Sequence, residues 1–154
     1  MQSYTVYTDG SCLKNPGGPG GYSCVIINNN TGDVISSEAH SELDTTNNRM
    51  ELKAAILALN RFVNKTKITI VTDSTYVRNG FEKRWIYHWM KNGWKSASGT
   101  PVKNKDLWLT LLDLVNKHDV HFELVKGHSG NEYNDMVDRL AKDAAIDASL
   151  GERK

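Results

Sequence analysis

Two short segments of the sequence end in the same pair of residues and could carry the same chemistry. Segments 6–9 and 70–73 both have the composition of a buried β-strand, and each ends in Thr-Asp before turning on small residues. If these strands are parallel neighbours, Asp9 and Asp73 emerge at the same carboxyl edge of a sheet, where open α/β sheets bind ligands. The alternative is that each Asp only caps a turn or a helix. Two Asp residues at equivalent strand ends favour a shared site.

Two further carboxylates could join them. Glu51 lies in the first turn of a helical pattern and borders its apolar stripe, although a surface Glu that complements the helix dipole is the alternative. Asp138 is embedded in an apolar stretch of the C-terminal helical pattern and should border a packed face. Asp135, one turn earlier, is a rival that we expect to be more solvated, because Asn134 and Glu132 surround it. The residue pattern alone leaves the choice between Asp135 and Asp138 open.

Carboxylates that converge on a dry sheet edge repel one another, and their pKa values rise unless a cation is present. Ligand sets made only of oxygen suit Mg²⁺, which also takes substrate phosphate as a partner. Two such ions can clamp an in-line phosphoryl displacement, one activating the attacking water and the other stabilising the leaving oxygen. The sequence contains no zinc-type spacing of Cys and His, no Walker loop and no G-x-S-x-G elbow. The acidic pattern therefore predicts magnesium-dependent phosphoryl chemistry.

A histidine and an aromatic, basic segment could support this chemistry. His128 lies in the glycine-flanked segment 126–130, where it could titrate near neutral pH and move a proton, although an ordinary surface His is the alternative. Between Lys83 and Lys105 there are six basic residues and no acidic one. This predicts a local patch for a nucleic-acid backbone, with aromatic side chains that also pack the segment together. The aromatic side chains are Trp85, Trp89 and Trp94.

The elements that would position these residues follow from hydrophobic periodicity. We predict strands over 3–9, 22–28, 34–40, 68–73 and 120–125, and helices over 48–64, 74–80, 107–117 and 132–149. The glycine-rich stretch 15–21 is interpreted as a loop, and 29–32 as a hairpin turn. The order β-β-β-α-β-α-α-β-α predicts an α/β fold. Its mixed sheet should begin with an antiparallel meander and carry two helix-linked strands parallel to the first.

Length and composition indicate one domain of ordinary size. The 154 residues are 39% hydrophobic and carry a net charge of +1, so any attraction for nucleic acid must be local. We expect a single domain over 1–150 and a short polar tail over 151–154. Cys12 and Cys24 are expected to be reduced, because the sequence shows no signal peptide. No apolar run reaches the roughly 18–20 residues that span a bilayer, so we expect a cytoplasmic enzyme.

Six separated motifs resemble those of bacterial type 1 ribonuclease H (ribonuclease HI), in the same order and over nearly the whole chain. They lie at 8–12, 45–52, 72–74, 85–94, 101–104 and 125–128. The resemblance implies a ribonuclease H-like fold, with a five-stranded mixed sheet and helices on both faces. It also implies an endonuclease that hydrolyses the RNA strand of RNA–DNA hybrids with little sequence specificity, leaving 5′-phosphate and 3′-hydroxyl ends.

The resemblance also implies a catalytic set. The implied ligands of two Mg²⁺ ions during catalysis, with Mn²⁺ as an alternative ion, are Asp9, Glu51, Asp73 and Asp138. This assignment selects Asp138 over Asp135. His128 matches a mobile histidine that assists proton transfer or product release.

Substrate contacts are implied in the same way. Asn15, Asn47 and Asn48, with the backbone near Cys12, match positions that face the minor groove and the RNA 2′-hydroxyls. The other implied contacts are Thr46 and Asn104, in a pocket for a DNA-strand phosphate, and Trp85 and Trp89, in a channel for the DNA backbone. The implied partner is the hybrid duplex, with no membrane and no obligate protein partner, so we expect a monomer.

Two departures from the family pattern bear on binding. Segment 98–100 is less basic than in some relatives, which predicts weaker and more salt-sensitive hybrid binding. Asp44 stands where some relatives have a basic residue, and this bears on the strength of the phosphate pocket. The competing hypotheses are a non-catalytic hybrid-binding protein and a structure-specific nuclease on the same fold. All four matched acidic positions are filled, which favours catalysis, and the tryptophan-rich basic segment favours hybrids over DNA junctions.

Overall fold

The computed structural model describes residues 2–125 and 131–152. Within these ranges the chain forms five strands in one mixed sheet and five helices. The strands are β1 (Ser3–Cys12), β2 (Gly18–Asn28), β3 (Val34–Thr45), β4 (Lys67–Thr72) and β5 (Asp119–Leu124). The helices are α1 (Asn47–Leu59), α2 (Thr75–Glu82), α3 (Trp85–Asn92), α4 (Lys105–Lys117) and α5 (Glu132–Glu152). The α/β fold class with a five-stranded mixed sheet is confirmed.

β1 lies at the centre of the sheet, in the order β3-β2-β1-β4-β5. It pairs antiparallel with β2 and parallel with β4, and the outer pairs repeat this arrangement, β2 with β3 antiparallel and β4 with β5 parallel. The predicted meander and the predicted parallel strands are therefore confirmed. Gly32 closes the β2–β3 hairpin with a φ of 78°, and its N–H donates to the carbonyl of Asn28 at 2.7 Å.

Apolar side chains cover both faces of the sheet, because successive strand residues point to opposite sides. One face carries Val6, Ile26 and Ile70, which belong to the main core with residues of α1, α2, α3 and α4. The opposite face carries Val25 and Ile27, which pack against α5. The helices therefore lie on both faces of the sheet, as expected, and α1 and α5 approach β1 from opposite sides.

The glycine-rich stretch departs from the sequence-based expectation. β1 runs on to Cys12, three residues past Asp9, and β2 already begins at Gly18. Glycine is a poor strand former by itself, so the local pattern indicates a loop, but Cys12 and Gly20 pair in the antiparallel ladder. Close packing of α5 on β2 also requires glycine at position 21, because a Cβ on Gly21 would collide with the backbone of Ala141 in α5. Strand pairing and helix packing override the local preference.

The helix boundaries also differ from those predicted. The helix predicted over 48–64 ends at Leu59, and Val63, which fits the periodic stripe, is 80% exposed. Three helices lie between β4 and β5 where the predicted order had two, because Arg84 adopts a left-handed backbone (φ 61°) that separates α2 from α3. α5 continues to Glu152, two residues into the predicted tail.

None of the helices within residues 2–125 and 131–152 is both long enough and apolar enough to cross a membrane.

Candidate active site

β1 and β4 bring two carboxylates to the same edge of the sheet. Their parallel register ends at the pair Tyr7 and Val71, and Asp9 and Asp73 each lie two residues further along. Asp9 is buried, with 5% of its surface exposed. The cap of α2 is Ser74, whose hydroxyl accepts the N–H of Val77 at 3.2 Å, so the alternative in which Asp73 caps this helix is wrong. The hypothesis of parallel neighbouring strands is confirmed.

Glu51 reaches this edge from α1 because the strand and the helix touch at Gly10. A Cβ at Gly10 would collide with the backbone of Met50 and Glu51, so only glycine allows this approach. The Gly10 N–H donates to the carboxylate of Glu51. Glu51 is therefore held against β1 and is only partly exposed, which excludes the alternative of a surface Glu.

Asp9, Glu51 and Asp73 form a compact acidic group. One carboxylate oxygen from each residue lies within 4.8 Å of the others. Burial, followed by the negative charge of Asp73, raises the pKa of Asp9 from 3.8 to about 8. Burial, followed by the charges of Asp9 and Asp73, raises the pKa of Glu51 well above its usual value. Such a group favours a divalent cation, and its oxygen-only donors suit Mg²⁺.

Asp138 approaches the same group from the opposite face of the sheet. It is held on α5, contributes to the raised pKa of Asp9, and forms an ion pair with Lys142 at 3.2 Å. Asp138 lies outside the compact group of three but lines the same cavity, whereas Asp135 does not line it. Asp135 was expected to have solvated neighbours, and for Asn134 this expectation was wrong, because Asn134 is only 3% exposed.

The cavity has a volume of about 430 Å³ and is lined mainly by polar groups. Its lining includes the four carboxylates together with Asn47 and Asn48. Lys142 is the single cation among the described residues that line it. Sequence reasoning missed this lysine, although its spacing of four residues from Asp138 on a helix was an available signal. Tyr76 also lines the cavity and was missed, because its place depends on how α2 packs.

The predicted minor-groove residues form a second group around the start of α1. The side-chain oxygen of Asn47 accepts the backbone N–H of Cys12 at 2.7 Å, and the side-chain oxygen of Asn15 accepts the backbone N–H of Asn47 at 3.2 Å. Because backbone N–H groups only donate, these contacts fix how both amides are turned. Asn15, Asn47 and Asn48 are exposed. Asn15 and Asn47 therefore present NH₂ groups, which are donors, to the outside.

The two residues predicted to share a phosphate pocket lie at the beginnings of α1 and α4. Thr46 caps α1, and its hydroxyl accepts the N–H of Arg49 at 3.2 Å. The guanidinium of Arg49 in turn donates to the side-chain oxygen of Asn104 at 3.3 Å. Arg49 thus connects Thr46 to Asn104, a link that the sequence pattern did not indicate.

The predicted aromatic patch is a continuous cluster of rings. The ring centroid of Trp89 lies 6.2 Å from that of Trp85, 5.9 Å from that of Trp94 and 5.5 Å from that of Trp108. Trp108 is fully buried, whereas the other three are partly exposed. The ammonium of Lys105 lies 5.6 Å from the ring centroid of Trp94. The tryptophans therefore pack segment 83–105 onto the core and leave aromatic surface beside basic side chains.

His128, the remaining predicted catalytic residue, lies in segment 126–130, outside the described residues.

Comparison with known proteins gives one family throughout. The RNase H family model matches residues 1–146. The chain is 49% identical over 146 residues to a ribonuclease H of Neorickettsia sennetsu, with 94% of each chain covered. It is 48% identical over 150 residues to a ribonuclease H of Pseudoalteromonas atlantica, covering 97% of this chain and 95% of the relative. Among solved structures, it is similar to LC9-RNase H1, described as a type 1 RNase H with the type 2 active-site motif. The TM-score is 0.84 and the identity 34%, over 96% of this chain and 74% of that one.

Proposed function

The chain belongs to the ribonuclease H family of endonucleases, and we propose that it hydrolyses the RNA strand of RNA–DNA hybrids. The observation that carries this proposal is the compact group of Asp9, Glu51 and Asp73, which lies where the parallel pairing of β1 and β4 ends. Its cavity is open to a large ligand and contains amide donors beside the carboxylates. A phosphodiester next to a minor groove fits this combination of groups.

We propose that Asp9, Glu51, Asp73 and Asp138 hold Mg²⁺. The donors fit the ion, because all are carboxylate oxygens and because burial and mutual repulsion disfavour the charged forms of Asp9 and Glu51 without a cation. When bound, two Mg²⁺ ions, or Mn²⁺ as an alternative, would supply an activated water and stabilise charge on the leaving oxygen. The chain contributes orientation: Gly10 holds the carboxylate of Glu51.

The product ends follow from which bond breaks. Attack of water on phosphorus and departure of the 3′-oxygen would leave a 5′-phosphate and a 3′-hydroxyl. The leaving oxygen takes up a proton, and His128 is the residue that we propose to move a proton at this stage or to assist product release.

Substrate selection would rest on the exposed amides. The minor groove presents acceptors at base edges, and the RNA strand adds 2′-hydroxyls. Asn15 and Asn47 present NH₂ groups with their oxygens already bonded to the protein, so they would donate to these acceptors. Asn48 lines the cavity beside them. The backbone N–H of Cys12 would act by holding Asn47 in place. Such contacts read groove shape and sugar, so sequence preference would be weak.

The DNA strand would lie across the beginnings of α1 and α4 and along the tryptophan cluster. Thr46 and Asn104 would contact one phosphate, and Trp85 and Trp89 would border the next part of the backbone. Six basic residues between Lys83 and Lys105 would supply the attraction, which should weaken as salt rises.

We further propose that the protein acts in the cytoplasm as a monomer, without membrane or obligate protein partners. Cys12 and Cys24 are both free thiols, as a reducing compartment requires. Light scattering at micromolar concentration would test the monomer, and a dimer mass would contradict it.

A substrate panel tests the proposed function. End-labelled RNA–DNA hybrid, RNA duplex, DNA duplex, DNA junction and single strands are incubated with and without Mg²⁺. We expect cleavage of the RNA strand of the hybrid alone, only with the ion, and products whose 5′ ends are sensitive to phosphatase. Binding of the hybrid without cleavage would favour a non-catalytic hybrid-binding protein. Cleavage of the DNA junction instead would favour a structure-specific nuclease.

A further inference from the structure

A chain of polar contacts connects three helices beside the cavity. Arg49 of α1 donates through Nη1 to Oδ1 of Asn104 at 3.3 Å. Nδ2 of Asn104 donates to the hydroxyl of Tyr76 at 3.1 Å, and the indole N–H of Trp108 donates to the same hydroxyl at 2.9 Å. Tyr76 also lines the cavity of the carboxylates. The amide of Asn104 therefore lies between a guanidinium on one side and a phenol on the other.

Arg49 can only donate, and this fixes how Asn104 is turned, because the Tyr76 hydroxyl on the other side of the amide can both accept and donate. A guanidinium and an indole N–H have no acceptor site. The amide oxygen of Asn104 must therefore face Arg49, which directs its NH₂ group toward Tyr76. One N–H of that NH₂ group bonds to Tyr76, and the second is directed elsewhere. Asn104 thus has a defined donor that these contacts do not use.

Asp106 holds Arg49 in the orientation that this arrangement needs. Its two carboxylate oxygens accept from Nη1 and Nη2 of Arg49 at 3.1 and 3.0 Å. Such a two-point contact fixes the plane of a guanidinium. With that plane fixed, a hydrogen of Nη1 points at Asn104. The ion pair lowers the pKa of Asp106, so the pair stays charged near neutral pH.

We propose that Arg49 is a positioning residue for substrate binding, because it turns the Asn104 amide so that an N–H faces a phosphate of the uncut strand. The inference rests on the proposed function, in which Asn104 contacts that phosphate. Without Arg49, the amide can flip and present its oxygen, which repels a phosphate oxygen. Asn104, whose backbone is left-handed (φ 65°), contacts both Arg49 and Tyr76, and of these two only Arg49 is restricted to donating.

A double-mutant cycle on hybrid cleavage tests the proposal. Arg49→Ala and Asn104→Ala should each raise KM about tenfold, the value of one hydrogen bond to a charged group, and change kcat less than twofold. The double variant should have the KM of Asn104→Ala alone, because Arg49 acts through Asn104. Multiplied effects in the double variant would overturn the proposal, since Arg49 would then act independently.

The matched control is Arg61→Ala, which removes another two-point Arg–carboxylate pair, with Glu38 of β3. Its KM should stay within twofold of wild type; a tenfold rise would show that loss of any such arginine is sufficient and would overturn the assignment. If Arg49→Ala does not fold, Arg49→Met keeps the aliphatic stem and carries the same expectation.

Replacing single phosphates of the DNA strand by uncharged groups distinguishes a positioning role of Arg49 from a general structural effect. Hybrids carry a single methylphosphonate at successive positions of the DNA strand. Wild type should show a raised KM at the position that Thr46 and Asn104 contact, and Arg49→Ala should show a smaller rise there, because only the contact with Thr46 remains. A rise of the full wild-type size in Arg49→Ala would overturn the inference while leaving the proposed function intact. An unchanged KM in Asn104→Ala would overturn the inference together with the proposed phosphate contact.

Discussion

Asp9, within β1, and Asp73, directly after β4, lie at equivalent places along two neighbouring parallel strands, each two residues beyond the last parallel pair, Tyr7 with Val71. Their proximity is set by the sheet and does not depend on a mobile loop. Two like charges held in this way at a buried edge are unfavourable, and Glu51 adds a third. The fold therefore maintains an acidic group that a divalent cation would relieve, and this has measurable consequences.

The metal-free protein should become less stable as pH rises. The folded-state pKa of Asp9 is raised to about 8 from 3.8, so between these values the folded state binds more protons than the unfolded state. The free energy of unfolding then falls with increasing pH across this window, and the raised pKa of Glu51 acts in the same direction. Urea unfolding in EDTA from pH 5 to pH 8 measures the slope.

The variant Asp9→Asn provides the control for this prediction. It removes the charge without changing the size of the side chain, so at pH 8 in EDTA it should be more stable than wild type by on the order of 2 kcal/mol. Mg²⁺ should stabilise wild type at pH 8 more than it stabilises Asp9→Asn. A wild-type stability that stays level from pH 5 to pH 8 would refute the electrostatic account.

Replacing Gly10 by alanine should damage both stability and activity. The new Cβ would collide with the backbone of Met50 and Glu51, so β1 and α1 must separate and Glu51 must move. We expect a loss of about 2–3 kcal/mol in unfolding free energy and a fall in kcat. Gly151→Ala is the matched control, because a Cβ there meets no atom within 4 Å among the described residues. Equal behaviour of the two variants would contradict the close approach.

Two tryptophans of the basic segment should differ in role, Trp89 contributing mainly to stability and Trp85 mainly to hybrid binding. Trp89 contacts three other tryptophans, including the buried Trp108, so Trp89→Ala should lower the unfolding free energy by about 2–4 kcal/mol. Trp85 lies at the end of the ring cluster, next to Tyr76 and Trp89. Trp85→Ala should cost less stability and raise KM for the hybrid several-fold. Chemical denaturation and KM measurements test the pair, and the reverse order of the two effects would contradict the assignment.

The elements of the fold could be predicted wherever local pattern and tertiary environment agree. The buried strand ending at Thr72 and the hairpin at Gly32 have local signals strong enough to predict them. The start of β2 at Gly18 could not be predicted, because its strand conformation depends on pairing with β1. The end of α1 at Leu59 was missed because the periodic pattern continues to Val63, which the fold leaves exposed.

The candidate site could likewise be predicted only in part. The shared Thr-Asp ending made the proximity of Asp9 and Asp73 predictable from strand order alone. The position of Asp138 at the cavity depends on the rotation of α5 about its axis, which its packing on Gly21 decides, and the residue pattern left Asp135 open. Contacts across helices, such as that between Arg49 and Asn104, have no signature along the chain.

The most direct test of the acidic group's role is single-turnover cleavage of a labelled RNA–DNA hybrid by the double variant Asp9→Asn, Asp73→Asn in saturating Mg²⁺. We expect a folded protein that still binds the hybrid but cuts it at least about 10³-fold more slowly than wild type, because its metal ligands are lost. Cleavage within about tenfold of the wild-type rate would show that this acidic group does not carry the reaction.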